Sequence, residues 1–353
     1  MTTPLLYVLH SANLYGTERM ALATLEGLRG RFAPVLLAPP GLVLREAERL
    51  RIPSEVFTSP HELARRLRPW LAQHQRVAFV ATGVMHSLVF LILNAWYRRQ
   101  SAHLHLVHGG TDERLSYGRK RLLNPTSTVL VAVSDFVRER LIANSIAPSK
   151  IRVIENFLTD ERVQSAPRRL PFTNAGVREV VIVSRVDPIK RVDLLLDVLD
   201  RHPDLNTLSF RVFGTGCNLE MLRTRAAKRN PNVHFLGFTE MIAAELATAD
   251  LLLHLCPSEP FGLAILEAMA AGVPVLVPDR GGAALLVEEE VSGGRFRADD
   301  VESLAARLRE LQTAPAERLN RWVMGGDRAL AARFSQAERV ADYERLLAKI
   351  NDD

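Results

Sequence analysis

Short runs of β-branched and aliphatic residues alternate with amphipathic helical patterns along nearly the whole chain. This alternation is typical of βαβ units, in which helices connect the parallel strands of one sheet. The predicted strands of the first half are residues 5–10, 35–38, 77–81, 103–107 and 129–133. Those of the second half are residues 180–184, 208–213, 233–236, 251–255 and 275–277. The sequence therefore predicts an α/β protein built on parallel sheets.

The length of 353 residues is too great for one typical core and suits two α/β domains. Residues 166–173 contain two prolines and few apolar side chains, a composition that predicts a linker between domains. We expect a first domain at 1–165 and a second at 174–328, facing each other across a cleft. The amphipathic segment 329–353 is predicted to be a helix that packs back on the first domain.

Positive charge is concentrated in the first half of the chain. Residues 1–165 contain 21 Lys and Arg against 13 Asp and Glu, whereas the remainder contains 24 against 27. Such an asymmetry favours an anionic partner, either a phosphate-bearing acceptor or an acidic membrane surface. The alternative is an arginine-rich surface that reflects genome composition, because 40 of the 45 cations are arginine.

Cysteine use and hydropathy indicate the compartment. Cys217 and Cys256 have no spacing typical of zinc sites, redox motifs or disulfide frameworks, which points to a reducing environment. The longest apolar stretch, residues 88–97, is far shorter than the roughly 20 residues that cross a bilayer. The N-terminus is expected to be a strand and not a signal peptide. We therefore expect a cytoplasmic protein, or one peripheral at the inner face of the membrane, with no nucleic-acid partner.

The segment CPSEPFGLAILEAMAAGVPV, residues 256–275, has the pattern of a phosphate site. A strand is followed by a turn, and a helix is predicted to begin near Phe261–Leu263, where free backbone N–H groups and the helix dipole favour an anion. Gly262 would permit close approach. Glu267 lies about one and a half turns into the helix, where it could accept hydrogen bonds from a ribose. Glu259 precedes the helix and is expected to be free to contact a sugar. The alternative is that both glutamates are solvated charges at a helix edge.

A second pattern, VSRVDPIKRVD, follows a predicted strand at residues 183–193. Arg185 and Lys190 lie in one loop, so they could converge on a single anion beyond the carboxyl edge of the sheet. The alternative is a surface turn with scattered charge.

These segments resemble the retaining GT-B glycosyltransferases of the large family-four class. Residues 259–267 fit that family's E-x-F-G-x-x-x-x-E signature, and residues 183–193, 213–216 and 233–238 are in its register. The resemblance implies two Rossmann-like domains facing a cleft, and metal-independent transfer of a sugar with retention of configuration. The expected donor is a UDP or GDP sugar, with no separate cofactor, and the acceptor a hydroxyl of a glycan, lipid or small molecule.

The resemblance also implies residue roles. It assigns catalytic roles to His108, Glu259, Arg185 and Lys190, and donor binding to Gly16, Gly214, Gly237, Phe261, Gly262, Leu263 and Glu267. In the loop that precedes Gly16, the family's first glycine is Tyr15. Metal binding by His103, His105 and His108 is the competing interpretation, although it needs further ligands.

Two other functions fit the same fold. A sugar-nucleotide epimerase would share the donor site but would need no acceptor, so release of free nucleotide on adding acceptor argues against it. A catalytically silent nucleotide-binding protein would be favoured if Glu267→Ala changed neither thermal stability nor turnover.

Overall fold

The computed structural model describes residues 2–110 and 113–352. The chain divides into two compact units. Unit 1 comprises Met1–Phe157 and Gln336–Asp353, and unit 2 comprises Leu158–Ser335.

The described part of unit 1 contains a parallel sheet of seven strands. They are β1 (Thr3–Val8), β2 (Phe32–Ala38), β3 (Ser54–Val56), β4 (Ala78–Ala81), β5 (Ala102–Val107), β6 (Val129–Ala132) and β7 (Ile151–Val153). Their order in the sheet is β3-β2-β1-β4-β5-β6-β7. Strand β1 is central and its residues Leu5–Val8 are fully buried, which explains why it is a continuous apolar run.

Unit 2 contains a second parallel sheet, of six strands. They are β8 (Glu179–Val183), β9 (Ser209–Phe213), β10 (Val233–Gly237), β11 (Leu251–Leu253), β12 (Val275–Pro278) and β13 (Gly294–Phe296). Their order is β10-β9-β8-β11-β12-β13, the doubly wound arrangement of a dinucleotide-binding fold. The sequence prediction of two parallel-sheet α/β domains is confirmed.

Helices connect the strands in both units. They are α1 (Gly16–Gly27), α2 (Leu42–Arg49), α3 (Pro60–Gln73), α4 (Val84–Trp96), α5 (Glu113–Ser116), α6 (Asp135–Ala143), α7 (Asp160–Ser165), α8 (Val192–Arg201), α9 (Leu219–Arg229), α10 (Ile242–Ala247), α11 (Leu263–Ala270), α12 (Gly281–Leu286), α13 (Val301–Gln312), α14 (Ala316–Arg333) and α15 (Gln336–Asp352). Several begin at residues whose side chains accept a backbone N–H, such as Ser134 before α6 and Asp300 before α13. Among the helices in the described residues, none combines the length and apolar composition needed to span a bilayer.

Each unit has its own hydrophobic core. In unit 1, Phe79 of β4 stacks on Phe90 of α4 with ring centroids 3.8 Å apart. In unit 2, strand residues such as Ile182 and Phe210 pack with the fully buried Trp322 of α14. Burial of these large side chains supplies the main driving force for each fold.

Three edge strands, β3, β7 and β13, are not predicted by the alternation of the sequence. Each has three residues and includes a charged one, Glu55, Arg152 and Arg295 respectively. A three-residue strand is too short to show a period of two, so only pairing with its neighbour identifies it.

The division of the chain differs from the domain bounds expected from the sequence. Residues 166–173, expected to be a linker, lie inside unit 2. The Arg169 N–H donates to the carbonyl of Ala271 at 2.8 Å, and Phe172 is buried in the core. The Arg169 guanidinium also lies 3.3 Å from the centroid of the Phe172 ring. A backbone hydrogen bond and a buried aromatic ring thus hold this proline-rich segment in unit 2. At the other end, α14 lies in unit 2 and α15 in unit 1.

Candidate functional site

The central pair of strands in unit 2 carries the two loops that the sequence singles out. Strands β8 and β11 are neighbours, although β9 and β10 lie between them in the sequence. The strand order reverses at this point, and open α/β sheets bind ligands beyond the carboxyl ends of the strands at such a reversal. The loops that follow β8 and β11 carry Lys190 and Glu259, respectively.

Helix α11 begins at Leu263, directly after the loop that follows β11. The preceding residue, Gly262, has φ 109°, a backbone conformation that favours glycine. A Cβ at this position would also lie 2.9 Å from Cδ1 of Ile265. Phe261 is buried, whereas Leu263 is only half-buried. The start of this eight-residue helix thus provides backbone N–H donors beyond the carboxyl end of β11.

The loop before α11 is held in place by two glycines that sequence analysis missed. The Gly282 N–H donates to the carbonyl of Glu259 at 2.6 Å. A Cβ on Gly282 would lie 2.2 Å from the carbonyl oxygen of Pro260, and one on Gly281 would lie 2.8 Å from that of Pro257. Side chains at either position would push the loop away. The only sequence signal was a Gly-Gly pair after the predicted strand at 275–277.

Lys190 and Glu259 form a largely buried ion pair. Nζ of Lys190 lies 2.6 Å from Oε2 of Glu259, and both side chains are only 15% exposed. Nε2 of His254, at the end of β11, lies 3.4 Å from the same oxygen. Sequence analysis predicted that Glu259 would be free, and it did not identify His254. Glu259 is instead held by Lys190, because the neighbouring strands bring the two loops together.

This pairing sets the protonation of both groups. Burial by itself would raise the pKa of Glu259, but Lys190 and His254 outweigh burial and hold the pKa well below its usual range. Burial likewise would lower the pKa of Lys190, but the neighbouring Glu259 carboxylate raises it above its ordinary value. Both groups are therefore charged at neutral pH.

Arg185 pairs with a different carboxylate. Its Nη1 lies 2.8 Å from Oδ2 of Asp187, and its side chain is 49% exposed. The positive charge of Arg185 nevertheless acts to lower the pKa of Lys190. The two cations expected to converge on one anion thus lie in the same loop, but each is paired with its own acidic residue.

The glycine after β9 and the glycine at the end of β10 shape the loop that carries these cations. Gly214 has φ 135°, and a Cβ there would lie 1.9 Å from the carbonyl oxygen of Ser184. The N–H of Gly214 donates to the carbonyl of Gly237 at 2.8 Å, and the Val186 N–H donates to that of Thr215 at 2.9 Å. Gly237 has φ 77°, with open space where a Cβ would lie. Gly214 therefore lies between Ser184, where the Arg185 loop begins, and Gly237.

Glu267 lies on α11 and contacts a residue that sequence analysis did not identify. Nη1 of Arg162, on α7, donates to Oε1 of Glu267 at 3.1 Å. The Glu267 side chain is 21% exposed. A ribose hydroxyl at this carboxylate would therefore meet an arginine as well.

Gly16 and His108 lie in unit 1, each after a central strand. Gly16 opens α1, where the Tyr15 N–H donates to Oε2 of the buried Glu18 at 3.0 Å. His108 follows β5 and is half-buried. Its surroundings lower its pKa to about 3, chiefly through burial and secondly through the nearby His10. His108 is therefore a neutral hydrogen-bonding group at physiological pH.

His103 and His105 belong to a buried network and do not face a site. Oγ of Ser87 lies 3.0 Å from Nε2 of His103 and 2.9 Å from Nδ1 of His105. Oγ1 of Thr128 lies 2.9 Å from Nδ1 of His103. In the part of the chain that the structure describes, no group of three His, Cys, Asp or Glu side chains could hold a metal ion.

Two family models match successive parts of the chain. The model "Glycosyltransferase Family 4" matches residues 15–162, and "Glycosyl transferases group 1" matches residues 168–327. The chain is 29% identical over 255 residues to D-inositol 3-phosphate glycosyltransferase of Geodermatophilus obscurus, covering 64% of this chain and 56% of that protein. It is 29% identical over 185 residues to phosphatidyl-myo-inositol mannosyltransferase of Mycobacterium leprae, covering 50% and 48% respectively. The chain spans about half the length of these curated relatives.

Solved structures share the whole fold at low sequence identity. Anabaena Alr3699/HepE in complex with UDP-glucose is 20% identical, with a TM-score of 0.81 over 98% of this chain and 99% of that one. A glycosyltransferase from Rickettsia africae ESF-5 is 16% identical, with a TM-score of 0.82 over 99% of both chains. These similarities confirm the predicted GT-B fold, and the family models confirm the predicted enzyme class.

Proposed function

The chain belongs to the glycosyltransferases of GT-B fold, and we propose that it transfers a sugar from a nucleotide-sugar donor to an acceptor hydroxyl, with retention and without a metal ion. One observation carries the proposal. In unit 2, the start of α11 and the buried Lys190 lie on the two loops at the strand-order reversal. Backbone N–H groups and a lysine at such a place match the charge of a diphosphate.

The donor roles follow from the positions of the side chains. Lys190, Arg185 and the first N–H groups of α11 would bind the diphosphate, while Glu267 would accept hydrogen bonds from the ribose. Gly214 and Gly237 would contribute by shaping the neighbouring turns. A UDP or GDP sugar is the proposed donor, and the UDP-glucose complex of the Anabaena protein supports a nucleotide of this kind.

The chemistry requires stabilisation of the leaving diphosphate and of an oxocarbenium-like sugar. Fixed cations and N–H groups can stabilise the leaving charge without reorganisation. We propose that the acceptor attacks on the face from which the diphosphate departs, and that a phosphate oxygen takes the acceptor proton. Glu259 would position the sugar and would not act as the nucleophile. The neutral His108 would hydrogen-bond the sugar.

The acceptor is proposed to bear a phosphate or a lipid. The positive surplus of residues 1–165 favours such a molecule. The names of the relatives, D-inositol 3-phosphate glycosyltransferase and phosphatidyl-myo-inositol mannosyltransferase, fit this class. A cytoplasmic role in polysaccharide or glycolipid biosynthesis is consistent with it.

A donor panel tests the proposal. Thermal shifts with UDP, GDP, ADP and TDP sugars should single out one base, because binding to the folded state raises its stability. The sugar that gives the largest shift is then incubated with candidate acceptors. Acceptor-dependent release of free nucleotide is expected, whereas isomerisation of the donor without an acceptor would favour an epimerase.

Lys190→Ala tests the diphosphate site directly. We expect the affinity for the selected nucleotide to fall by roughly tenfold to a hundredfold, because a charged hydrogen bond to phosphate is lost. Titration calorimetry measures the change. Lys228→Ala, at an exposed position on α9, is the matched control and should bind like the wild type. Unchanged affinity in Lys190→Ala would contradict the proposal.

A further inference from the structure

Helix α4 of unit 1 exposes a row of large apolar side chains. Met85, Ile92 and Trp96 are 55%, 69% and 82% exposed. They are spaced by seven and four residues, so they lie along one side of the helix. On the other side, Phe90 and Leu93 are buried in the core of unit 1. The sequence of Val84–Trp96 contains no Asp, Glu, Lys or Arg. We call Met85, Ile92 and Trp96 the apolar stripe.

Exposed arginines lie on the segments next to α4. Arg98 follows α4 by two residues and is exposed. The turn Gly118–Leu123 packs against α4, and it exposes Arg119 and Arg121 together with Leu122. We call Arg98, Arg119 and Arg121 the basic rim.

The sequence around the stripe accounts for the basic character of the first half of the chain. Residues 63–134 contain 10 Lys and Arg but only 2 Asp and Glu. Their excess of eight positive charges equals the excess over all of residues 1–165, which contain 21 Lys and Arg and 13 Asp and Glu. The positive charge is therefore concentrated in the stretch that includes α4 and the following turn, which argues against a uniform effect of composition.

Charge complementarity selects the occupant of this surface. An exposed helix with large apolar residues on one side and arginines nearby is typical of helices that lie in the plane of a membrane. Tryptophan is favoured at the headgroup level, and arginine is attracted to anionic lipids. A second copy of the chain, paired about a two-fold axis, would bring two basic rims close together and incur repulsion.

We propose that the apolar stripe and the basic rim form a docking surface for an anionic lipid bilayer. Ile92 and Trp96 insert among the headgroups, while Arg98, Arg119 and Arg121 bind lipid phosphates. The helix lies on the bilayer and does not cross it. Membrane binding is independent of sugar transfer. Either proposal can therefore be refuted while the other holds.

Vesicle cosedimentation tests the surface. We expect the protein to bind phosphatidylcholine vesicles that contain about 30% phosphatidylglycerol at least tenfold more tightly than pure phosphatidylcholine vesicles. Trp96→Glu should weaken binding to the anionic vesicles by roughly tenfold. The double variant Arg119→Gln/Arg121→Gln should also weaken it by about tenfold, and added salt should weaken the wild type.

Leu170→Glu is the matched control, because Leu170 lies in unit 2 and is 82% exposed, the same fraction as Trp96. It should bind vesicles like the wild type, and circular dichroism should show that all variants are folded. Equal binding to both kinds of vesicle, no binding, or unchanged binding of Trp96→Glu would overturn the proposal. So would a dimer that Trp96→Glu dissociates in the absence of vesicle binding, since the occupant would then be a second copy.

Discussion

At the scale of single residues, Lys190 and Glu259 form an ion pair, although the two side chains are proposed to bind different parts of the donor. Lys190 is proposed to bind the diphosphate and Glu259 the sugar, yet each is the other's partner at 2.6 Å. A diphosphate that reaches Lys190 must compete with the carboxylate for its charge. We therefore expect binding of the diphosphate to release Glu259 toward the sugar, so that the carboxylate becomes available only when a donor is present.

This competition predicts opposite effects on binding and turnover in Glu259→Gln. Because glutamine does not neutralise Lys190, affinity for the nucleoside diphosphate should rise by roughly threefold to tenfold. Turnover of the nucleotide sugar should fall by about a hundredfold or more, since the group that positions the sugar is altered. Calorimetry and steady-state kinetics measure the two effects. Glu240→Gln, at an exposed position in unit 2, should change neither. Weaker nucleotide binding by Glu259→Gln would refute the competition.

At the scale of elements, the turn after β9 supports the loop after β8. Gly214 leaves room for the carbonyl of Ser184, and the backbone of Thr215 accepts the N–H of Val186. Because the loop after β8 also carries Arg185 and Lys190, the position of two cations depends on a turn more than 20 residues away in sequence. Gly237 lies next to Gly214, but a Cβ added to Gly237 would point into open space.

Alanine substitutions at these two glycines should therefore differ. Both have positive φ, so each variant incurs conformational strain of about 1 kcal/mol or more. Gly214→Ala must in addition move the backbone at Ser184, and its total loss of unfolding free energy should be about 3 kcal/mol or more. It should also weaken nucleotide binding, and by more than Gly237→Ala does. Urea denaturation and calorimetry measure the two effects. Equal destabilisation of the two variants would show that steric support of the loop is unimportant.

At the scale of the whole molecule, we expect the two units to differ in how they respond to mild acid. Unit 1 contains five histidines whose pKa is lowered, mainly by burial, and they are His10, His86, His103, His105 and His108. Burial lowers the pKa of His103 to about 3 and that of His86 to about 4. An unfolded histidine takes up a proton near pH 6.5, whereas a histidine with a lowered pKa takes one up only at lower pH.

Unit 1 is therefore expected to lose stability as the pH falls. The contribution of His103 is complete above about pH 6.5 and declines toward pH 3, because only the unfolded chain binds the proton in that interval. Protonation of His103 in the unfolded chain lowers the free energy of unfolding by at most about 1.4 kcal/mol per pH unit. Urea denaturation at pH 7 and pH 5 should show the loss, and hydrogen exchange should locate the first opening in unit 1. His103→Asn should reduce the pH dependence by about one proton, whereas His234→Asn, at an exposed position in unit 2, should not. First opening in unit 2 would be inconsistent with this account.

The sequence predicted those features that depend on local patterns. Alternating aliphatic runs and helical periods identified most of the strands, and with them the two parallel sheets. The E-x-F-G pattern and its glycine located the start of α11 within a few residues. That Glu267, Arg185 and the other named residues bind a donor stays a prediction.

The sequence by itself determined the fold class, the central strands and the loops that carry the candidate chemistry, because a buried parallel strand and a helix start each impose a local pattern on the chain. Only the tertiary structure decided which side chains meet. The partners of Glu259 are Lys190 and His254, Arg162 contacts Glu267, and Phe172 anchors the supposed linker in unit 2. Such pairings depend on which strands become neighbours in a sheet, and burial of the whole unit, not the spacing of residues, selects that order.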